Sequence, residues 1–201
     1  MAVPPPRPVV RIAPDVAMIR DKQALRAHLR AERDRFAADN MRAILVPEAV
    51  GALFRPDLVV TTYCPMGSEA DPSLLAAAAA DAGCRLALPH VVRRSMPMRF
   101  LAWDPARALE PGPFGLSQPP ADSPELVPDI ILTPLVGFDR RLNRLGQGAG
   151  YYDRVFARFD HALRIGVAWS VQEVPAVPAD IWDVPLHFIV TEKEVICHKE
   201  S

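Results

Sequence analysis

Three glycines alternate at Gly146, Gly148 and Gly150, within FDRRLNRLGQGAGYYDRVF (residues 138–156). Directly after them Tyr151, Val155 and Phe159 follow helical apolar spacing. Alternating glycines let backbone N–H groups turn toward one point, and a following helix adds its own unsatisfied N–H groups and positive dipole end. That combination suits an anion. Arg144, just upstream, is a fork for phosphate oxygens, and Asp153, in the first helical turn, is a carboxylate suited to a phosphate-bound Mg2+. Phosphate with a metal points to a nucleotide. A plainer reading stays open, in which the glycines make an ordinary turn and Asp153 favours the helix N-terminus. The segment is neither a GxxxxGK[ST] P-loop nor a GxGxxG dinucleotide fingerprint.

Two further places carry suitable side chains. In DKQALRAHLRAERDRFAADN, residues 21–40, Leu25, Leu29 and Phe36 fall on one narrow helical stripe, with Lys22, Arg26, Arg30 and Arg33 on a basic stripe beside it. The chain has only three lysines, and one of them stands here; a solvated basic face is the alternative. In CPMGSEAD, residues 64–71, Glu69 follows a strand end, where α/β proteins gather ligands and a carboxylate can bond a polar heterocycle. Helix capping by Ser68, Glu69 and Asp71 is the competing reading. Trp103, Phe114, Tyr151 and Tyr152 are candidates to line a site for a planar ligand. The five histidines lack HxH or HExxH spacing and no GxSxG elbow occurs, which leaves zinc- and serine-hydrolase chemistry without support.

These groups need elements to hold them. Asp21 is an N-cap for a helix of about five turns, and a second, weaker helix is expected over 46–54, ended by Pro56. LVVTTY (58–63) reads as a buried strand, and DPSLLAAAAADAG as a helix begun by Asp71 and Pro72 and stopped at Gly83. RLALPHVV and MPMRFLAW read as two strands, DIILTPLVGF and LRIGVAW as two more, and LHFIVTEKEVICH as a terminal hairpin. Residues 104–129 hold seven prolines and two glycines and read as a long irregular excursion. Strands alternating with helices imply an α/β layered domain with a largely parallel sheet flanked by helices.

At 201 residues the chain is long enough for one self-sufficient core, expected over 19–201, after a proline-rich arm over 1–18 that is expected to be disordered. A formal net charge of -1 offers no global attraction to nucleic acid or anionic membranes. Three cysteines without a CxxC pair argue against a disulfide framework and fit a reducing cytoplasm. Neither a signal-peptide core nor an apolar run of membrane-spanning length is present, and a cytoplasmic protein is expected.

In order along the chain, KQALR (22–26), PMGSEAD (65–71), LPHV (88–91), FGLSQPP (114–120), PLVGFDRRLNRLGQGAGYYDR (134–154), GVAWSVQ (166–172) and DVPLHFIVTE (183–192) resemble the 5-formyltetrahydrofolate cyclo-ligase family, also called 5,10-methenyltetrahydrofolate synthetases. The likeness runs from about Lys22 to Val195. It implies a fold similar to the NagB/RpiA/CoA-transferase-like group. The implied reaction is the ATP- and Mg2+-dependent cyclisation of 5-formyltetrahydrofolate to 5,10-methenyltetrahydrofolate, with release of ADP and phosphate, in a monomer. The resemblance implies ATP contacts at Lys22, Arg26, Arg144, Leu145, Gly146, Gln147, Gly148, Ala149, Gly150, Tyr151 and Tyr152. It implies folate contacts at Met66, Glu69 and Gly148 to Tyr152, carboxylates for Mg2+ at Asp153 and Asp183, and a catalytic part for Lys22, Arg144 and Tyr152. Leu142 stands where relatives usually carry glycine, so its turn must avoid a left-handed backbone or bear strain. Trp182 replaces a frequent histidine, and Ala149 a frequent glycine or lysine. Leu142 and Trp182 motivate the alternative of a catalytically quiet paralogue that binds folate or nucleotide.

Overall fold

The computed structural model of the protein describes residues 21–39, 43–178, 180 and 183–198. The expected arm over 1–18 and the Trp182 position lie outside them. In chain order the elements are α1 (Lys22–Asp39), α2 (Glu48–Gly51), β1 (Val59–Thr61), α3 (Ser73–Asp81), β2 (Arg85–His90) and β3 (Arg99–Ala102). Then come β4 (Glu110–Pro111), β5 (Ser117–Gln118), β6 (Ile130–Pro134), β7 (Gly137–Phe138), β8 (Arg144–Leu145), α4 (Tyr151–Arg158), β9 (Leu163–Val167), β10 (Phe188–Val190) and β11 (Val195–Cys197).

Seven strands form one sheet in the order β11-β10-β9-β6-β1-β2-β3. The inner five are parallel, and β3 and β11 pair antiparallel at the two edges. The terminal hairpin and the α/β layering are therefore as the sequence leads one to expect. Adjacent residues of one strand divide between the two faces, as the pleat requires. Val59, Ile131 and Ile189 join one cluster with Val155 and Phe156 of α4. Val60, Ile130, Leu132 and Val190 join another with Leu75, Ala76 and Ala79 of α3. Both faces of the sheet are covered, which is why its strands read as continuous apolar runs.

From β1 the chain moves outward through β2 to β3, then returns and builds outward in the other direction from β6. Order reverses between β1 and β6, and the carboxyl ends of those two strands open a crevice there.

Local sequence accounts for the helix ends. Asp21 Oδ1 accepts from the Gln23 N–H at 2.9 Å, capping α1. Asp71 Oδ1 accepts from the Ser73 N–H at 2.8 Å, and Gly83, at φ +83°, ends the turn after α3. Three expectations need correction. The second helix is a single turn over Glu48–Gly51, because Pro47 fixes its start and the chain from Gly51 to Phe54 tightens into i→i−3 bonds. The excursion over 104–129 contains a short ladder, β4 with β5, joined by a 3-10 turn at Pro113–Gly115. Arg33 belongs to the buried seam of α1 with Leu25 and Leu29, since steps of four return nearly to the same face.

Candidate active site

The crevice beyond β1 and β6 is a cleft of about 750 Å3, within the range of small-molecule sites. Every residue that the sequence nominates for ATP, folate or metal lines it: Lys22 and Arg26 from α1, Met66 and Glu69 after β1, the run from Arg144 to Asp153, and Asp183. Phe114, Tyr151 and Tyr152 also line the cleft, whereas Trp103 lines a separate cavity near Arg85 and Arg107. Trp103 follows β3 at the end of the sheet opposite the crevice, so it is withdrawn from the site.

The glycine segment gets its shape from the turn before it. Asp139 is 1% exposed, and its Oδ1 accepts from the backbone N–H groups of Arg141 at 2.9 Å and Asn143 at 3.1 Å. Oδ2 accepts from the Val177 N–H at 2.9 Å, and the Asn143 amide donates to both oxygens. This carboxylate closes the turn. Within it Leu142 does adopt a left-handed backbone, at φ +67°, while its side chain is wholly buried in the core. Of the two options the sequence leaves, strain offset by burial is the one taken; αL costs an L-residue about 1–2 kcal/mol, and burying leucine returns about 1.5–3.

Beyond that turn the backbone loosens into the glycine loop. Gly148 has φ +98°, and Gly150, at φ +66°, is the N-cap of α4. Arg26 Nε donates to the Gly146 carbonyl at 2.8 Å, and Arg30 Nη2 to Gln147 Oε1 at 2.6 Å, so α1 pins the loop from outside.

Cations and carboxylates alternate along the wall. Lys22 Nζ donates to Asp180 Oδ2 at 2.6 Å and Asp183 Oδ2 at 2.9 Å. Burial works against both partners' charges, but it is outweighed. The bonds to Asp180 and Asp183 hold the Lys22 ammonium above its usual range. Bonds from Lys22 and the Asp180 N–H, helped by the charge of Arg144, hold the Asp183 carboxyl below its own. Arg144, its side chain 5% exposed, donates through Nη2 to Asp153 and lies 5.3 Å from the Phe156 ring centre. Burial, then the charge of Glu69, push the Tyr152 phenol well up, so it holds its proton at neutral pH. Glu69 Oε1 accepts from Gln147 Nε2 at 2.9 Å and Oε2 from the Met66 N–H at 3.0 Å. Ser68 does not cap a helix; its Oγ joins Arg33 to Asp34.

Among the described residues no group of three or more His, Cys, Asp or Glu side chains gathers as a metal cage. Mg2+ seldom needs one, since it takes one or two carboxylates and completes its shell with phosphate and water. Asp153 and Asp183 on the cleft wall are a donor set of that kind, each now neutralised by a cation. Asp139 and Asp180 are residues that the sequence reading does not single out, and Arg33 enters it only as part of a basic stripe, with no place at the Glu69 side of the cleft. A buried position within the α1 periodicity is the signal that would have singled out Arg33. No helix of the described residues is long and apolar enough to cross a membrane.

Comparison with known proteins agrees with this geometry. Residues 18–192 match the model of the 5-formyltetrahydrofolate cyclo-ligase family. The 5-formyltetrahydrofolate cyclo-ligase of Escherichia coli K12 is 32% identical over 143 residues, 68% of this chain and 79% of that one. The Haemophilus influenzae protein of the same name is 36% identical over 97 residues, 45% of this chain and 52% of that one. Among solved structures, the Aquifex aeolicus 5,10-methenyltetrahydrofolate synthetase superposes with a TM-score of 0.71 at 30% identity, covering 90% of this chain and 94% of that one. The Mycoplasma pneumoniae synthetase, at 23% identity and TM-score 0.61, shares the fold over 86% of this chain and 99% of that one. With a matching family model across most of its length, the chain belongs to the 5-formyltetrahydrofolate cyclo-ligase family of ligases.

Proposed function

We propose that the protein converts 5-formyltetrahydrofolate and ATP to 5,10-methenyltetrahydrofolate, ADP and phosphate. The observation that carries this reading is one cleft with two chemically different sets of groups. Lys22, Arg26, Arg144 and a glycine loop at a helix N-terminus serve polyphosphate, and the Glu69 carboxylate, which the loop meets through Gln147, serves a polar ring edge.

An amide-like formyl oxygen is a poor leaving group. In this reading it attacks the γ-phosphorus, ADP departs, N10 attacks the activated formyl carbon, and phosphate leaves with loss of the N10 proton. Such a sequence needs positioning and charge neutralisation more than a protein nucleophile. Phosphate oxygens compete with Asp180 and Asp183 for Lys22, and with Asp153 for Arg144. Arg26 and the N–H groups from Leu145 to Tyr152 add donors to the same phosphates. Tyr152, protonated, donates a hydrogen bond rather than acting as a base. Met66 supplies apolar contact to the folate, with residues Gly148 to Tyr152 between the two substrates. Asp153 and Asp183 would hold Mg2+, whose chemistry is to draw negative charge from the phosphoryl oxygens. We also assign the protein to the cytoplasm as a monomer, with 19–201 as its folding unit.

The test is the absorbance of methenyltetrahydrofolate formed from 5-formyltetrahydrofolate, with ATP and Mg2+ omitted in turn. Product that requires both is the expected result. A folded protein that binds folate or nucleotide and forms no product would instead favour the quiet paralogue, a reading kept because Leu142 holds a glycine-type backbone with a leucine.

A further inference from the structure

Arg33 has no task in the reaction derived above, yet it lines the cleft beside Glu69 with its side chain only 9% exposed. Burying a guanidinium is costly unless its N–H groups find acceptors. Nε finds one in Ser68 Oγ at 2.9 Å. Nη1 is buried without a hydrogen-bond partner among the described residues, and Glu69 Oε1, the carboxylate oxygen beside it, stands at 3.8 Å, beyond hydrogen-bond reach. The Glu69 side chain is itself 7% exposed, and each of its oxygens accepts one protein N–H and keeps further acceptor capacity. A free donor therefore stands beside open acceptors, and Ser68, Gln147 and the Met66 backbone hold both in place.

We propose that Arg33 Nη1 and the Glu69 carboxylate together read a ring edge in which a carbonyl oxygen adjoins an N–H. Arg33 donates to the oxygen and Glu69 accepts from the N–H. The inference rests on the folate reading and deepens it, because the 2-amino-4-oxo edge of a pterin presents O4, N3–H and the 2-amino group in that order. A 4-amino pterin places a donor where O4 stood and faces Arg33 with an N–H opposite an N–H. Its N3 also carries no hydrogen, so Glu69 keeps only the 2-amino donor of that ring; Arg33 supplies the part of the discrimination that reads O4, and Arg33 substitutions isolate that part. A site built around a hydrogen bond to one group rejects the analogue that lacks it, because its own buried group is then left unpaired.

The experiment measures Kd by calorimetry, without ATP, for 5-formyltetrahydrofolate and its 4-amino-4-deoxy counterpart on wild type, Arg33→Met and Arg33→Lys. Wild type is expected to prefer the 4-oxo ligand by about 10- to 100-fold, the range of one hydrogen bond to a charged donor. Arg33→Met is expected to weaken the 4-oxo ligand by a similar factor, leave the 4-amino ligand unchanged or tighter, and so narrow the ratio, the remainder being the share that Glu69 sets through N3–H. Arg33→Lys keeps the charge but cannot serve Ser68 and the ligand together, and is expected to fall between. Equal weakening of both ligands in Arg33→Met would mean that Arg33 only positions Glu69, and would overturn the proposal. Equal affinities on wild type would overturn it too, whatever the variants' stability. Wild type that binds neither ligand overturns the folate reading itself, a result distinct from the loss of discrimination.

Discussion

The turn from Asp139 to Asn143 and the glycine loop from Gly146 to Gly150 are separated by two residues and built on opposite plans. In the turn, a buried carboxylate meets three backbone N–H groups and an amide, and a left-handed leucine is anchored in the core. In the loop, the backbone has glycine freedom, and the surrounding cations rest on carboxylates, which on the proposed reading a ligand displaces. The turn supplies rigidity and the loop supplies exchangeable contacts. Placing them in tandem fixes where Arg144 leaves the scaffold without fixing what its guanidinium must bind.

Substitutions in the two regions should therefore fail in different measurements. The largest effect is expected from Asp139→Ala, which strands several buried N–H groups; denaturant unfolding should show a loss of about 3–5 kcal/mol. Lys22→Ala should lower the melting temperature only by the small amount that a part-exposed ion pair contributes, while turnover falls about 100-fold, some 2.7 kcal/mol of transition-state stabilisation. Unchanged ATP kinetics would remove Lys22 from the site. Leu142→Gly relieves the left-handed backbone but deletes a buried side chain, and the cavity should prevail by about 1–3 kcal/mol. A stabilised variant would mean that strain, not packing, dominates the turn.

Smaller effects should sharpen the contrast at its edges. The Asp183 carboxyl is depressed below its ordinary 3.8 and the Lys22 ammonium raised above 10.5, so their pairing stabilises the fold between those values. The Asp183 contribution is lost as pH falls through its folded value, and the Lys22 contribution as pH rises through its own. The melting-temperature difference between wild type and Asp183→Asn should accordingly stay level from pH 5 to 9 and shrink below about 3.8. Arg140, half exposed, joins Glu173 and Glu194 outside the turn. Arg140→Ala should cost less than about 1 kcal/mol, and that cost should fade with added salt.

Legibility in the sequence followed the same divide. β1, β6 and β9 could be read because a sheet covered on both faces demands β-branched, apolar runs, and α1 because Asp21 caps it and no proline or glycine interrupts it. The loop and its cations line the cleft as expected, but glycine spacing and arginine alone left an ordinary turn and a solvated face open, and only the ordered motifs of the resemblance weighed against them. Asp139 could not, because a carboxylate that organises a turn looks the same in a sequence as one that faces water. Arg33 was assigned to the basic stripe by its charge, although its position along α1 put it with Leu25 and Leu29; here the period outweighed the residue type. Trp103 was misplaced because an aromatic at a strand end does not reveal which end of the sheet it occupies. The ladder of β4 and β5 was hidden by the prolines and glycines that make its corners.

One helix lines the cleft with both Lys22 and Arg33. Eleven residues at 1.5 Å each set these groups about 16 Å apart along its axis, and no loop intervenes to absorb an error. On the proposed reading, α1 is a ruler, graduated in turns, against which the combined length of two substrates is laid. Removing a single residue between Arg26 and Arg33 would shorten the rule only slightly, but it would swing one end about 100° away from the cleft. Evolution can exchange side chains along this helix one at a time, yet it cannot change the distance it measures in steps smaller than a whole turn.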